Sequence, residues 1–335
     1  MVKIICIGDP HFQVNNIDDV EVFIDKIVHL VHKENPDFCV ILGDVLHTDE
    51  RLHISPLNKA YEFIDKVSEC CLTFVLVGNH DMLSEKQYLN DNHWMNSMKK
   101  WKNVVIVDRV KYFVMNNEEF VFCPYVSTGR FIEALTSGNE DWKDANVIFA
   151  HQEFYGCKFG AIVSECGDKW DLSYPNIISG HIHMKHRPQK NIYYVGSSLQ
   201  HAFGENEDNT VSVVRVKDRE YTYEEIDLGI TRKRIIYTNS SEISKININS
   251  EQPHKIKVCL CGTIEDFKSV KKTSKYKEMI DKGVKVVFKP DKILENKHIE
   301  IMSEKKTFLN ILHSLVEKKS NKYITKVYEN ICKDK

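Results

Sequence analysis

Leu76-Val77-Gly78-Asn79-His80-Asp81 is the stretch on which the reading of this chain turns. An apolar run, Thr73 to Val77, stops at a glycine and three polar side chains able to bind a ligand. In an α/β protein this is where a buried strand reaches the edge of its sheet, the usual place for a site. Asn79 offers a neutral carbonyl oxygen. His80 offers an imidazole that titrates near neutrality, and Asp81 a carboxylate able to hold that imidazole in one tautomer. Taken alone, the same residues also fit a polar turn after a strand. What separates the two readings is whether other strands end in the same way.

Upstream, Val2 to Gly8 reads as a buried strand and delivers Asp9-Pro10-His11. Phe38 to Leu42 is another, and delivers Gly43-Asp44-Val45-Leu46-His47. Between them Val20, Phe23, Ile24, Ile27, Val28 and Val31 recur at helical spacing, with Asn16 or Asp18 as the cap. A second helix is expected from about Leu57 to Glu69. Strand, loop and helix in succession, three times over, imply a parallel sheet whose polar clusters share one edge. Downstream, Val147 to Ala150 ends at His151-Gln152, Ile177 to Ser179 at Gly180-His181-Ile182-His183, and Tyr193 to Val195 at Gly196-Ser197-Ser198. Val104 to Val107, Tyr112 to Met115 and Phe120 to Cys123 read as strands of a second sheet, and Val211 to Val216 with Tyr221 to Leu228 as a closing hairpin. Glu153 to Tyr174 reads as a loop.

Asp9, His11, Asp44, Asn79, His80, His151, His181 and His183 thus all lie at or just after the end of an apolar strand. Any one histidine is well explained as a core residue; chance would scatter the set over faces and ends. Mixed His, Asp and Asn donors suit a divalent transition metal such as Mn, Fe or Zn. They are too many for one tetrahedral ion. Two ions about 3.5–4 Å apart, bridged by a carboxylate, would use them all and would activate water against a phosphoryl group.

The 335-residue chain, 42% apolar and 28% charged, has room for one large domain and a smaller one. Mean hydropathy is -0.37 and no apolar run approaches a membrane span. The N-terminal run meets Asp9 too soon for a secretory signal. Ten cysteines lie mostly inside apolar runs, as in reduced, buried thiols. These features lead us to expect a reducing, cytoplasmic compartment, with no membrane partner. The net charge of -2 conceals an asymmetry: residues 231–335 hold 24 Lys and Arg against 13 Asp and Glu, leaving the rest acidic. An acidic part fits a carboxylate-rich site, and a lysine-rich part a polyanion or a solvated face.

Asp-x-His, Gly-Asp-x-x-His, Gly-Asn-His-Asp, a lone strand-end His and Gly-His-x-His, in that order, resemble the calcineurin-like metallophosphoesterase family over about residues 1–205. The resemblance implies an α/β fold, a two-sheet αββα sandwich. It implies Asp9, His11 and His183 on one metal and Asn79, His151 and His181 on the other, with Asp44 bridging. His80 would contact the scissile phosphate as general acid or transition-state stabiliser, oriented by Asp81. Further features resemble one branch, the SbcD-type nucleases of double-strand-break repair: His47 with Ser55-Pro56 after it, His151-Gln152, and Tyr194-Val195-Gly196-Ser197-Ser198 with Phe203-Gly204-Glu205 beyond. Gly196 would let a backbone approach a phosphate. This branch implies a nuclease domain over residues 1–230, a small α+β capping domain over 231–292, and a helical hairpin over 303–335 that binds an SbcC-type SMC-like ATPase. It also implies two divalent ions, most readily Mn2+, and DNA as substrate, cut as a 3′ to 5′ duplex exonuclease and single-strand endonuclease. A relative acting on small nucleotides or phosphoproteins would share the chemistry. His53, His93, His186 and His201 fit none of these motifs and are expected on the surface. A helix from Ser84 to Trp101 would carry Tyr88, Trp94, Met95 and Met98 on one face, fitting either core or a homodimer contact.

Overall fold

The computed structural model describes residues 1–47, 51–138, 141–248 and 254–290, and beyond them the positions Val316, Thr325 and Tyr328. The chain opens with β1 (Val2–Ile7), α1 (Ile17–Glu34), β2 (Phe38–Ile41), α2 (Ile54–Cys70), β3 (Leu72–Leu76) and β4 (Val104–Val107). These four strands are parallel neighbours in one sheet. Next come β5 (Lys111–Met115), β6 (Glu118–Cys123), α3 (Phe131–Thr136) and β7 (Val147–His151). A small hairpin of β8 (Lys158–Phe159) and β9 (Ile162–Val163) follows, then β10 (Asn176–Gly180), β11 (His186–Gln189) and β12 (Ile192–Tyr194). The second sheet has the order β11-β12-β10-β7-β6-β5. The chain then returns to the first sheet with the antiparallel hairpin β13 (Val211–Lys217) and β14 (Glu220–Ile226), which pairs onto β1.

Strand alternation explains the layering. Ile4 and Cys6 of β1, Phe38 and Val40 of β2, and Phe74 and Leu76 of β3 face the second sheet. Ile5, Ile7, Cys39, Ile41 and Val75 face α1 and α2. Both faces are covered, so the strands read as continuous apolar runs. Across the gap Phe74 stacks on Phe122 with ring centroids 4.0 Å apart, and Phe122 on Phe149 at 5.1 Å. The far face of the second sheet is closed by α3, Trp142 and Trp170. The result is the expected αββα sandwich. Helix α1 stops at Asn35, in the left-handed region at φ 46°, whose N–H caps the Val31 carbonyl; Pro36 follows.

The structure differs from the sequence reading in four places. β4 belongs to the first sheet, beside β3. The stretch Ser84 to Trp101 is not an α-helix; its only regular element is a 3-10 turn at Asn96–Lys100. Met95 and Met98 are fully buried, and Trp94 packs on the same core, so this apolar set is used inside the chain and supplies no motive for a homodimer contact. The loop expected after His151 contains the β8–β9 hairpin. Where the spacing predicts one lysine-rich helix from Ile264 to about Asp281, there are two, α4 (Ile264–Val270) and α5 (Ser274–Asp281), the second capped by the Thr273 side chain on the Tyr276 N–H.

Those helices lie between β16 (His254–Gly262) and β17 (Lys285–Pro290), which with β15 (Arg232–Asn239) form a three-stranded, all-parallel sheet. This small unit has its own core of Ile243, Val258, Leu260 and Met279. It is tied to the sandwich by polar bonds: Lys255 to Asp19 at 2.9 Å, Arg232 to Asp227 at 2.7 Å, and Lys233 N–H to Gln200 Oε1 at 2.5 Å. Residues 1–290 form one compact unit. The expected hairpin over 303–335 lies outside the described residues. The described cysteines are all free, and Cys6, Cys39, Cys123, Cys157 and Cys259 are buried. Among the described residues, no helix is long and apolar enough to cross a membrane.

Candidate metal centre

The C-terminal ends of five strands from both sheets meet at one edge. β1 runs out into Asp9 and His11, and β2 into Asp44. β3 runs into the 3-10 turn Asn79–Asp81, β7 ends on His151, and β10 leads to His181 and His183. Parallel pairing sets the ends level: Ile7 lies opposite Ile41, and Gly180 opposite His151. Asp9, His11, Asp44 and His181 all have positive φ, 36°, 44°, 49° and 75°. Each such residue costs on the order of 1–3 kcal/mol and persists only where its surroundings impose it; such residues cluster at functional sites. Gly43 is required here for space as well as for its φ of 103°, since a Cβ would lie 2.5 Å from His151 Nδ1.

The seven expected ligands come together in two groups that share Asp44. In one, Asn79 Oδ1 lies 3.0 Å from His151 Nε2 and 2.9 Å from His181 Nδ1. Asp44 Oδ2 lies 3.3 Å from His151 Nε2 and 3.5 Å from His11 Nε2, between the groups. In the other, His11 Nε2 and His183 Nε2 face each other at 3.0 Å. Asp9 Oδ1 accepts the His181 N–H at 2.9 Å, while its Oδ2 is buried with no hydrogen-bond partner. His151 donates from Nδ1 to the Leu42 carbonyl at 2.6 Å, which leaves the Nε2 lone pair directed at Asn79 and Asp44. The floor is buried: Asp9, His11, Asp44 and His151 are at most 2% exposed. The rim, with His80, His181 and His183, meets solvent.

The electrostatics follow from that burial. Burial raises Asp9 to about 6, against the pull of His151. Burial also opposes charge on Asp44, yet His151 and His11 hold it well below the usual carboxylate range. Burial would lower His151, but the Asp44 and Asp9 carboxylates raise it to about 9. Burial and the neighbouring His151 lower His181 to about 3, and burial lowers His11. Neutral imidazoles at His11 and His181, an orphaned carboxylate oxygen on Asp9 and the facing ring nitrogens of His11 and His183 suit divalent ions. The residues fit two such ions, one at Asn79, His151 and His181, one at Asp9, His11 and His183, with Asp44 common to both.

The other expected residues are distributed unevenly. His80 is at the site: its backbone N–H donates to Asp44 Oδ1 at 2.9 Å, and its ring lies edge-on to His11, 5.0 Å between centroids. His80, His11 and Asp44 each offer an atom within 4.8 Å of the others. His47 is also there, stacked on His80 at 5.8 Å and 5.3 Å from His11. Asp81 does something other than expected. It accepts the N–H groups of Leu46 (3.3 Å), Val45 (3.4 Å) and Gly78 (3.1 Å) and the Trp94 indole N–H (2.9 Å). None of the described hydrogen bonds joins it to His80. It pins the Asp44 loop to the Asn79 turn and so positions ligands from two strands. Gly196, expected to approach a phosphate, instead lets its backbone approach the chain: a Cβ there would lie 2.8 Å from Lys185 N and 3.0 Å from His183 O.

Three histidines expected on the surface are not there. His93 is buried against Asp108 at 3.3 Å. His186 is half-buried, stacked on Tyr194 at 5.1 Å. His201 is buried against His11 and His183. The signal for His201 was its position inside the Gly196–Glu205 segment that follows Gly-His-x-His. Tyr125, whose ring lies 5.5 Å from His181, left no mark in the sequence. His53 is exposed, as expected.

Residues 2–185 match the family model described as calcineurin-like phosphoesterase. The candidate phosphoesterase 078R of Invertebrate iridescent virus 3 is 40% identical over 336 residues, covering 99% of this chain and 96% of that protein. The candidate phosphoesterase 244L of Invertebrate iridescent virus 6 is 48% identical over 275 residues, covering 81% and 97%. Among solved structures, an archaeal phosphodiesterase aligns over 67% of this chain and 99% of its own length, at 13% identity and a TM-score of 0.36.

Proposed function

Because the chain belongs to the calcineurin-like phosphoesterase family and is a metal-dependent phosphoester hydrolase, we propose that its substrate is DNA, cut by an SbcD-type two-metal nuclease in recombination or double-strand-break repair. The observation that carries this reading is what adjoins the site. The Gly196–Glu205 segment packs against His11 and His183 and is bonded directly to β15 of the small unit, through Gln200 and Lys233. Residues 254–290 of that unit hold ten lysines against four carboxylates. A basic unit fastened beside the hydrolytic site suits a long polyanion better than a single nucleotide.

Bound at Asp9, His11, Asp44, Asn79, His151, His181 and His183, two divalent ions, Mn2+ in this proposal, would supply hydroxide at neutral pH and neutralise charge on the phosphoryl oxygens. The chain's own part is to aim five imidazole or amide donors, His11, Asn79, His151, His181 and His183, into the two groups. It also excludes water from the floor, and it presents His80 at the rim, where it can donate a proton to the leaving oxygen. The test is hydrolysis of end-labelled duplex DNA by the full chain, with Mn2+ added or chelated. Metal-dependent release of nucleotides from 3′ ends is expected. Hydrolysis of small phosphodiesters or phosphopeptides with DNA left intact would replace DNA by those substrates.

We propose further that residues 303–335 bind an SbcC-type ATPase, on the grounds that Phe308, Ile311, Leu312 and Leu315, and Ile324, Val327, Tyr328 and Ile331, have helical apolar spacing. Deleting 303–335 should leave metal content and basal hydrolysis near the full-length values while abolishing co-purification with the ATPase encoded by the same source. Retained co-purification would put the partner's site elsewhere.

A further inference from the structure

His201 lies outside the seven ligands named above, yet it is built into their centre. Its ring meets His11 edge-on with centroids 4.7 Å apart, and His183 at 5.0 Å. One nitrogen of each of the three rings lies within 4.8 Å of the other two. The residue is 9% exposed. Its Nε2 is 2.5 Å from Ser197 Oγ, and its Nδ1 is buried with no hydrogen-bond partner among the described residues.

The hydrogen bonds of Ser197 set the tautomer. Its hydroxyl has one proton and two carbonyls in reach, Asp9 O at 3.1 Å and Leu199 O. Carbonyls only accept. Donation to His201 instead would leave the hydroxyl oxygen facing both carbonyl oxygens with no proton between. The proton therefore goes to a carbonyl, and the imidazole donates to Oγ from Nε2. That leaves the lone pair on Nδ1 buried and unmatched, which is unfavourable unless something binds it. His151 shows the same logic with the nitrogens exchanged: one N–H is fixed on a backbone carbonyl, and the other nitrogen faces the ligand cluster. The ring is also held in place. The N–H groups of His201 and Ala202 donate to Glu205 at 2.8 and 3.1 Å, and Lys233 Nζ donates to the Gln200 and His201 carbonyls at 2.5 and 3.0 Å.

We infer that His201 is an eighth ligand of the centre, binding through Nδ1 the ion held by His11 and His183. The inference rests on the two-metal reading. It makes this half of the centre the richer in imidazole, three rings against the two of His151 and His181, so the two ions are not held alike.

Cobalt titration of the full-length, metal-stripped protein tests this, followed by calorimetry and by the Co2+ d–d absorption. The unmodified chain should bind two ions. In His201→Ala, one site should weaken by about 10–100-fold or more and change its absorption, while the other keeps both affinity and spectrum. Added imidazole should restore the lost band. A folded variant with both spectra unchanged would overturn the inference, even if affinity falls, because His201 would then only position its neighbours. Should the variant fail to fold, anomalous diffraction from Co2+-soaked crystals of the unmodified protein decides: an ion at the ordinary metal–imidazole distance of about 2.0–2.3 Å from Nδ1 supports it, and one beyond contact overturns it. Two ions bound by His201→Ala with affinity and spectrum both unchanged sink this inference alone. An unmodified chain that binds no Co2+ sinks the two-metal reading as well.

Discussion

Asp44→Asn is expected to abolish hydrolysis and to lower metal content in the same protein. Asp44 Oδ2 stands between His151 and His11, one from each group of ligands, and Oδ1 takes the His80 N–H. An amide keeps the shape and one acceptor but loses the negative charge shared by both halves, and its NH2 would face imidazole nitrogens or cations. Removing a single preorganised electrostatic group typically costs about 10²–10³-fold; removing one that serves two ions at once should exceed that. Elemental analysis and hydrolysis rates on the same preparation check it. Wild-type metal content with a wild-type rate would mean that Asp44 does not bridge.

His80→Ala should lose activity by a different route. If His80 donates a proton to the leaving oxygen, its removal should lower turnover by about 10²–10⁴-fold and leave two ions bound. The geometry makes this an informative experiment, because the His80 ring lies as close to His11 and Asp44 as a ligand could. Loss of metal from His80→Ala would make His80 a ligand and vacate the role of proton donor. His47, stacked parallel to His80 at 5.8 Å, would then be the residue to examine for that role.

These two variants address residues that were legible before any coordinates, and the reason is local. A residue just past the end of a parallel strand lies at the sheet edge whatever the rest of the molecule does. Period-2 burial and the strand's end therefore place Asp9, Asp44, Asn79, His151 and His181 without reference to one another. Apolar runs long enough for strands only, alternating with helical spacing, likewise prescribed the first parallel sheet, while the two-sheet αββα sandwich was implied by the resemblance of the motifs. The same locality explains the failures. Ser84 to Trp101 has apolar residues at helical intervals, but what they satisfy is a pocket beside α2 and the Asp81 carboxylate, and the Trp94 indole N–H finds its partner only in the folded chain. Spacing carries no record of such a partner.

What the sequence by itself determined is which residues reach the edge and what donors they bring. Which edge residue touches which was decided by the meeting of two sheets, since the ligands come from both and no pairing register relates β1 to β10 directly. Asp81 is spent on backbone amides rather than on His80 by the neighbouring ends of β2 and β3, within the first sheet. The meeting of the sheets turns His201 inward against His11, across 190 residues of chain. A side chain's partner is set by three-dimensional proximity and by the hydrogen bonds left unmade by burial, and neither quantity exists until the chain has closed.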